Sequence, residues 1–505
     1  MSMSSKDVLR LDQLRRAAKT LKKSYDAGEA GARQAVRGLW GKEPQSHADF
    51  LHVIARQHGF ISWPRLKWAA ETIGLERAEA QEKLKMALYN GNQPAVQALM
   101  SATPDLAEGH FGLLCALYDL TGVEAMLAEE PGLATEAVGP RRPILHLACS
   151  HWHRMGGASD ASVEVAKILA AHGADVNDAW SGQLGGPDSS ERLSVLYSAL
   201  GHAKNLPLAR WLLEQGADPN DGESLYHATE LGHADGVRML LGSGARPEGT
   251  QALLRAIDFD DAEMVALLLA AGADPNESLT AGYNALHHAA LRDAGKGVVD
   301  LLVQNGARVD DVYAGMMPHA YARLVGGTAV QTALEAMGAP EDMPDAIRPL
   351  TDPEETRPVD PAALPTELFT IMVDLIHRPN TMDQIRRMID AGFPWDAPDS
   401  MGVTPVQAAG WIGWPDRLAY FLKLSPDLSH VNDFGGNLLG TILHGSEHAP
   451  ARVGQDHLAC LELAFTHGIA LPRPALKGQL RPDVLEFLNT WAARYPGQVV
   501  EHGIW

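Results

Sequence analysis

One phrase returns along this chain and restricts what it can fold into. Gly-Ala-Asp-Pro-Asn stands at 216–220 and again at 272–276. Variants begin at Gly173 (Gly-Ala-Asp-Val-Asn), Gly244 (Gly-Ala-Arg-Pro-Glu) and Gly306 (Gly-Ala-Arg-Val-Asp). The closing glycines fall at 173, 216, 244, 272, 306 and 338, so most gaps lie near thirty residues. Repetition at that interval predicts a stack of helix-turn-helix units in place of one compact core.

The stretch 252–276 shows how one unit works. Ala252 to Ile257 reads as a short first helix, Asp258 to Asp261 as a polar turn, and Met264 to Ala271 as a more apolar second helix. Gly272 then supplies the left-handed residue that ends a helix, and Asp274-Pro275-Asn276 starts the next turn. Neither helix is long enough to stand alone in water, so each must bury its apolar face on its neighbours.

A chain of 505 residues exceeds one ordinary core, but a stack escapes that limit because its contacts stay local. The formal net charge of −21 opposes general nucleic-acid binding, which needs a basic footprint. No apolar run approaches a membrane span, and the polar N-terminal stretch does not read as a secretory signal. Cys115, Cys149 and Cys460 are odd in number and far apart, so no disulfide framework is expected and a cytoplasmic location is the simplest.

The first helices carry a second pattern. Leu145-His146-Leu147-Ala148 and Leu286-His287-His288-Ala289 share a Leu-His-x-Ala core, and Thr404-Pro405-Val406-Gln407-Ala408-Ala409 carries a Thr-Pro opening. Tyrosine replaces the histidine in Leu196-Tyr197-Ser198-Ala199 and Leu225-Tyr226-His227-Ala228, and leucine does so in Leu253-Leu254-Arg255-Ala256. These residues resemble ankyrin repeats, most strongly from Pro143 to Asp310. Several units are shorter than the family's usual length, which predicts trimmed hairpin turns. The segments Ala48 to Lys67 and Gly435 to Ser446 resemble phrases of bacterial ankyrin-repeat proteins, the first in a helical N-terminal module. The resemblance implies an all-α fold: an ankyrin-repeat solenoid of about ten units in two stacks, with helical N- and C-terminal caps.

The expected organisation is a capping module over 1–75, a first stack over 76–339, a Pro-rich acidic linker over 340–365, a second stack over 366–473, and a cap helix with tail over 474–505. In the module, helices are expected over Val8–Lys23, Gly31–Leu39 and His47–His58, with a fourth opening at Ser62-Trp63-Pro64. Its basic residues, Arg10 to Lys23, read as a solvated helix face. Arg154–Asp160 and the Gly/Ser-rich Trp180–Ser190 read as loop insertions.

In the family, the position after the signature histidine and the pair after the two alanines face the concave surface. Carried over, this implies a partner-facing row of His151, His202, His227, Glu230, Arg255, Asp258, His288, Arg292 and Trp411. A polar, charged row of this kind suits a protein or peptide partner. The alternative is an enzyme working in the groove or on the 150–190 insertions, with a histidine-held metal. His146, His151, His153 and His202 form one candidate set, and His444, His448 and His457 with Glu447 and Asp456 another. His146 and His287 hold the signature position, where the family's histidine satisfies turn backbone, and no short metal motif occurs, so no metal or cofactor is assigned. Gly-x-Ser-x-Gly and the phosphate-binding loop are absent, Asp258, Asp260 and Asp261 read as a solvated turn, and Cys149 reads as packing.

Overall fold

The recurring glycines sit where the second helices stop. Helix Ala262–Ala270 ends at Ala271, and Gly272 takes a φ of +94°. That left-handed turn costs a side-chain-bearing residue about 1 kcal/mol or more, and glycine nothing. It brings the amide of Gly272 to the Leu269 carbonyl and that of Ala273 to the Leu268 carbonyl, both at 3.0 Å. These two bonds satisfy carbonyls that a helix end would leave orphaned, and Ala273 is buried in the process. The same backward reach joins Ala174 to Leu169, Ala217 to Leu212, Ala245 to Leu240, Ala307 to Leu302 and Ala339 to Leu334. Further on it joins Phe393 to Met388 and Ile469 to Ala464, where the five-residue phrase has eroded.

The asparagine that closes the phrase does more than make a turn. Asp274 Oδ1 accepts the Asn276 amide at 2.8 Å, which folds the turn on itself. The Asn276 side chain then spans to the next unit. Its Nδ2 donates to the Gly306 carbonyl at 2.9 Å, and its Oδ1 accepts the Arg308 amide at 2.8 Å. Asn177 makes the same pair with Gly216 and Asp218, at 3.1 and 2.7 Å, and Asn220 reaches the Gly244 carbonyl at 3.3 Å. Each rung ties one turn to its successor.

The computed structural model describes residues 11–40, 44, 47–58, 63, 75–182, 191–278, 280, 282–352, 354–477 and 480–503. Contacts divide the described residues into two compact units, those within 11–182 and 191–245, and those within 246–503. In the first unit, helices Leu11–Asp26, Ala30–Trp40 and His47–Gln57 share a core of Leu14, Ala18, Val36, Phe50, Val53 and Ile54. The expected fourth helix at Ser62 falls outside the described residues. Helix pairs follow from Arg77–Tyr89 and Gln93–Ala102 through to Ser224–Ala228 and Asp235–Gly242. The Gly/Ser-rich insertion leaves and returns as an antiparallel strand pair, Ala179–Gly182 with Glu191–Ser194, in which Trp180 faces Leu193 across the ladder.

In the second unit, pairs run from Ala252–Asp258 and Ala262–Ala270 to Leu438–His448 and His457–Thr466, and helix Pro482–Arg494 closes the series. Segment 340–365, expected as a linker, holds helix Arg348–Thr351 and buries Ile347, Leu350, Val359 and Leu364. The Val359 amide donates to the Ala391 carbonyl at 2.8 Å, and Gln384 Nε2 donates to the Leu350 carbonyl at 3.2 Å, so the segment lies against the pair that follows it. Among the described residues, no helix is long and apolar enough to cross a membrane.

Candidate functional site

The signature histidines are held by backbone. His287 sits wholly buried, three residues after the N-cap Asn284 of helix Ala285–Arg292, and its Nε2 donates to the Met316 carbonyl at 3.1 Å. His146 Nε2 donates to the Val138 carbonyl at 2.8 Å. A carbonyl can only accept, so both rings must carry the proton on Nε2. Burial pushes both imidazoles down to about 4, and they are neutral at pH 7. Gln407 fills the equivalent place after Thr404. It accepts the Thr404 amide at 3.1 Å and donates to the Gly436 carbonyl at 3.1 Å.

The expected partner-facing residues fall into four separate groups, two in each compact unit. In the first unit, His202 Nε2 donates to the Tyr89 carbonyl at 3.0 Å, with its ring stacked on Tyr89 at 4.1 Å. The His151 ring stands edge-on to His202 at 4.9 Å. Burial first, then the neighbouring His151, lowers His202 to about 4, and burial also lowers His151. The Arg141 guanidinium lies over two rings at once, 4.5 Å from Tyr89 and 3.9 Å from Trp180. Sequence reasoning missed this clamp. An arginine just before the Pro143 helix and a tryptophan opening the insertion were its only signals.

His227 forms the second group. Helix Ser224–Ala228 and the turn after it place Glu223 and Glu230 on either side of the ring, with Nε2 3.4 Å from Glu223 and Nδ1 3.0 Å from Glu230. Both nitrogens face a carboxylate, so both must donate, and only the imidazolium can do so. Burial works to lower this histidine, but the two carboxylates outweigh it and raise it to about 9.

In the second unit, Asp258 ends helix Ala252–Asp258 and collects three cationic or donor groups. Arg255 Nη1, His288 Nε2 and Arg292 Nε each lie 2.8 Å from its carboxylate. His288 and Arg292 are four residues apart on one helix, which places both over the same oxygen. Burial opposes the charge on Asp258, but these partners hold its carboxyl well below the usual range. Arg292 also reaches Asp374 at 3.3 Å, and burial raises the Asp374 carboxyl despite that contact. His288 is buried beneath this network, with its Nδ1 accepting from the Tyr283 hydroxyl at 3.2 Å. It supports the row from below, whereas Arg255 and Arg292 remain half-exposed.

Trp411 forms the fourth group, at a cavity of about 750 Å³ lined also by His377, Asp399, Phe434, His444 and Glu447. The histidine sets weighed as an alternative do not converge among the described residues. His457 Nε2 is taken by the Trp411 carbonyl at 3.0 Å, while the His444 and His448 rings pack on each other at 4.4 Å. The trio that does converge is His319, Glu335 and Glu341, whose two carboxylates are exposed. Cys115, Cys149 and Cys460 are buried, and burial raises all three thiols, which fits packing.

Residues 225–313 match the family model described as ankyrin repeats (3 copies). These are ankyrin repeats. The chain has the ankyrin-repeat fold, with mostly helical units and few strands. Among solved structures, the human ASB11 ankyrin repeat domain is similar at 18% identity, covering 46% of this chain and 100% of that one with a TM-score of 0.35. The ankyrin repeat domain of Bcl-3, a member of the IkappaB protein family, is similar at 20% identity, covering 45% and 97% with a TM-score of 0.34. No curated protein matches the sequence.

Proposed function

We propose that the chain is an ankyrin-repeat scaffold that binds a protein or peptide partner, acting in the cytoplasm, with residues 1–75 capping the first repeat. His151, His202, His227, Glu230, Arg255, Asp258, Arg292 and Trp411 make or brace the contact, and His288 holds Asp258 in place.

The observation that carries this reading is pre-organisation. The half-exposed charges of the row are already oriented by neighbours: His227 between two carboxylates, and Arg255 and Arg292 on one aspartate. A partner meeting such groups loses little free energy in ordering them, which favours affinity and register. Ankyrin repeats also supply a rigid scaffold, although fold alone does not choose the partner.

The test is affinity capture from the native host at physiological salt, with wild type beside His227→Ala, Arg255→Ala and Trp411→Ala. A stoichiometric protein retained by wild type and released by at least one variant, with unchanged circular dichroism, is expected. Retention unaffected by all three removes the row from the interface, and an empty capture removes the scaffold reading.

A further inference from the structure

The cavity beside Trp411 has a definite chemistry. Its volume of about 750 Å³ falls in the range of built ligand sites, roughly 300–1,000 Å³. Helices Pro405–Ile412 and Leu438–His448 form its walls, supplying Trp411 from one and Leu443 and Glu447 from the other. The turn before Pro405 brings Asp399 and Val403, and the following turn brings Phe434. Phe434 is 65% exposed, a large ring held in water at the rim with little of its own surface covered.

The lining itself is acidic, while the Arg292, Arg417 and Arg452 guanidiniums act on His377 from outside it and Arg481 flanks Glu447. Among the described lining residues there are two carboxylates, Asp399 and Glu447, and no lysine or arginine. Burial lowers His377 to about 4, and burial with the neighbouring His448 lowers His444, so both rings are neutral acceptors at pH 7. The Arg481 amide donates to Glu447 Oε1 at 2.6 Å and orients that carboxylate.

We propose that this cavity takes the guanidinium of an arginine side chain carried by the partner, stacked on Trp411 and Phe434 and paired with Glu447. A guanidinium is planar, weakly hydrated and forked, so it can lie on a ring face and still donate in-plane to a carboxylate, which an ammonium does less well. Val403 and Leu443 offer apolar surface for its methylene stem. The formal charge of −21 on the chain steers a basic segment towards it. The assignment rests on the scaffold reading above and names what one part of that scaffold recognises.

The test starts from a random dodecapeptide library displayed on phage and selected on the full chain. Peptides with a shared arginine are expected. The best of them is then synthesised with arginine and with citrulline, its uncharged isostere, and titrated by calorimetry. Citrulline should weaken binding by about tenfold or more, and Glu447→Gln and Trp411→Ala should each weaken the arginine peptide comparably. The citrulline comparison uses unmodified protein, so it stands even where Trp411→Ala fails to fold. Selected peptides without a shared arginine, equal affinity for citrulline, or indifference to Glu447→Gln each overturn the arginine assignment and leave the scaffold reading intact. No enrichment at all overturns both.

Discussion

Replacing Asp258 with asparagine tests whether the charged row is held as described. The carboxylate accepts from Arg255, His288 and Arg292, all at 2.8 Å, and its side chain is 16% exposed. Hydrogen bonds to charged groups contribute roughly 1.5–3 kcal/mol each in favourable settings. The arginine partners are 30% and 32% exposed, so solvent screening cuts the two arginine terms substantially. Asparagine also keeps one acceptor oxygen. The net expected loss is about 2 kcal/mol, or roughly a thirtyfold change in local opening. Its pH sign follows from the depressed carboxyl. The contribution is present above the unfolded carboxylate value near 3.9 and is lost as pH falls towards the lower folded value. Hydrogen exchange read by mass spectrometry should show protection falling in helices Ala252–Asp258 and Ala285–Arg292, while Pro405–Ile412 keeps its own. In a double-mutant cycle with Arg292→Gln, the two changes should fail to add by at least about 0.5 kcal/mol. Protection unchanged within a factor of about three, or strict additivity in the cycle, refutes the network as a source of order.

Acid should weaken the fold through the signature histidines. His146 and His287 sit near 4 when folded and near 6.5 when unfolded, so stability is complete above about 6.5 and falls by about 1.4 kcal/mol per pH unit for each towards 4. His287→Gln, which copies the side chain found at Gln407, should keep the melting temperature at pH 7 and reduce its fall on acidification, whereas equal slopes for variant and wild type refute the assignment. Proton-detected titration of His227 should find it charged at pH 7 with a midpoint near 9, and the Glu223→Gln, Glu230→Gln double variant should bring that midpoint below neutrality; a wild-type midpoint near 6.5 contradicts the geometry. Gly445→Ala places a methyl inside the contact shell of the Trp411 carbonyl and should cost about 1–3 kcal/mol while reshaping the arginine cavity. An unchanged melting temperature there means the two helices part freely.

Much of the fold is legible in the sequence because the helix ends depend on glycine. A left-handed stop is cheapest with that residue, so Gly216, Gly272 and Gly306 announce themselves, whereas the same stop at Asp293 after helix Ala285–Arg292 carries no such mark. Segment 340–365 reads as a linker yet packs, because proline density marks free linkers and packed extended chain alike. Only partners such as Ala391 and Gln384, distant in sequence, decide between them. The same holds for the row. The position after the signature histidine locates His288, but Tyr283 and Asp258 cover it, and nothing local announces a lid. Tyr89, Arg141 and Trp180 converge from three separate stretches outside the signature, so no spacing rule joins them.

The asparagine rungs have a consequence for how such a chain can change length. Asn276 needs only a carbonyl at Gly306 and an amide at Arg308, and both come from the successor's own closing phrase. Asn177 asks the same of Gly216 and Asp218. The joint is therefore indifferent to which copy follows, provided the phrase is intact. Where the phrase ends in asparagine, duplicating or excising one unit in frame rebuilds the joint, while the phrases ending in Glu248 and Asp310 offer no such rung; losing a single residue between Gly306 and Arg308 would leave Asn276 able to reach only one of its two partners. The genetic event this architecture tolerates best is a whole-unit one, and the one it tolerates least is the smallest.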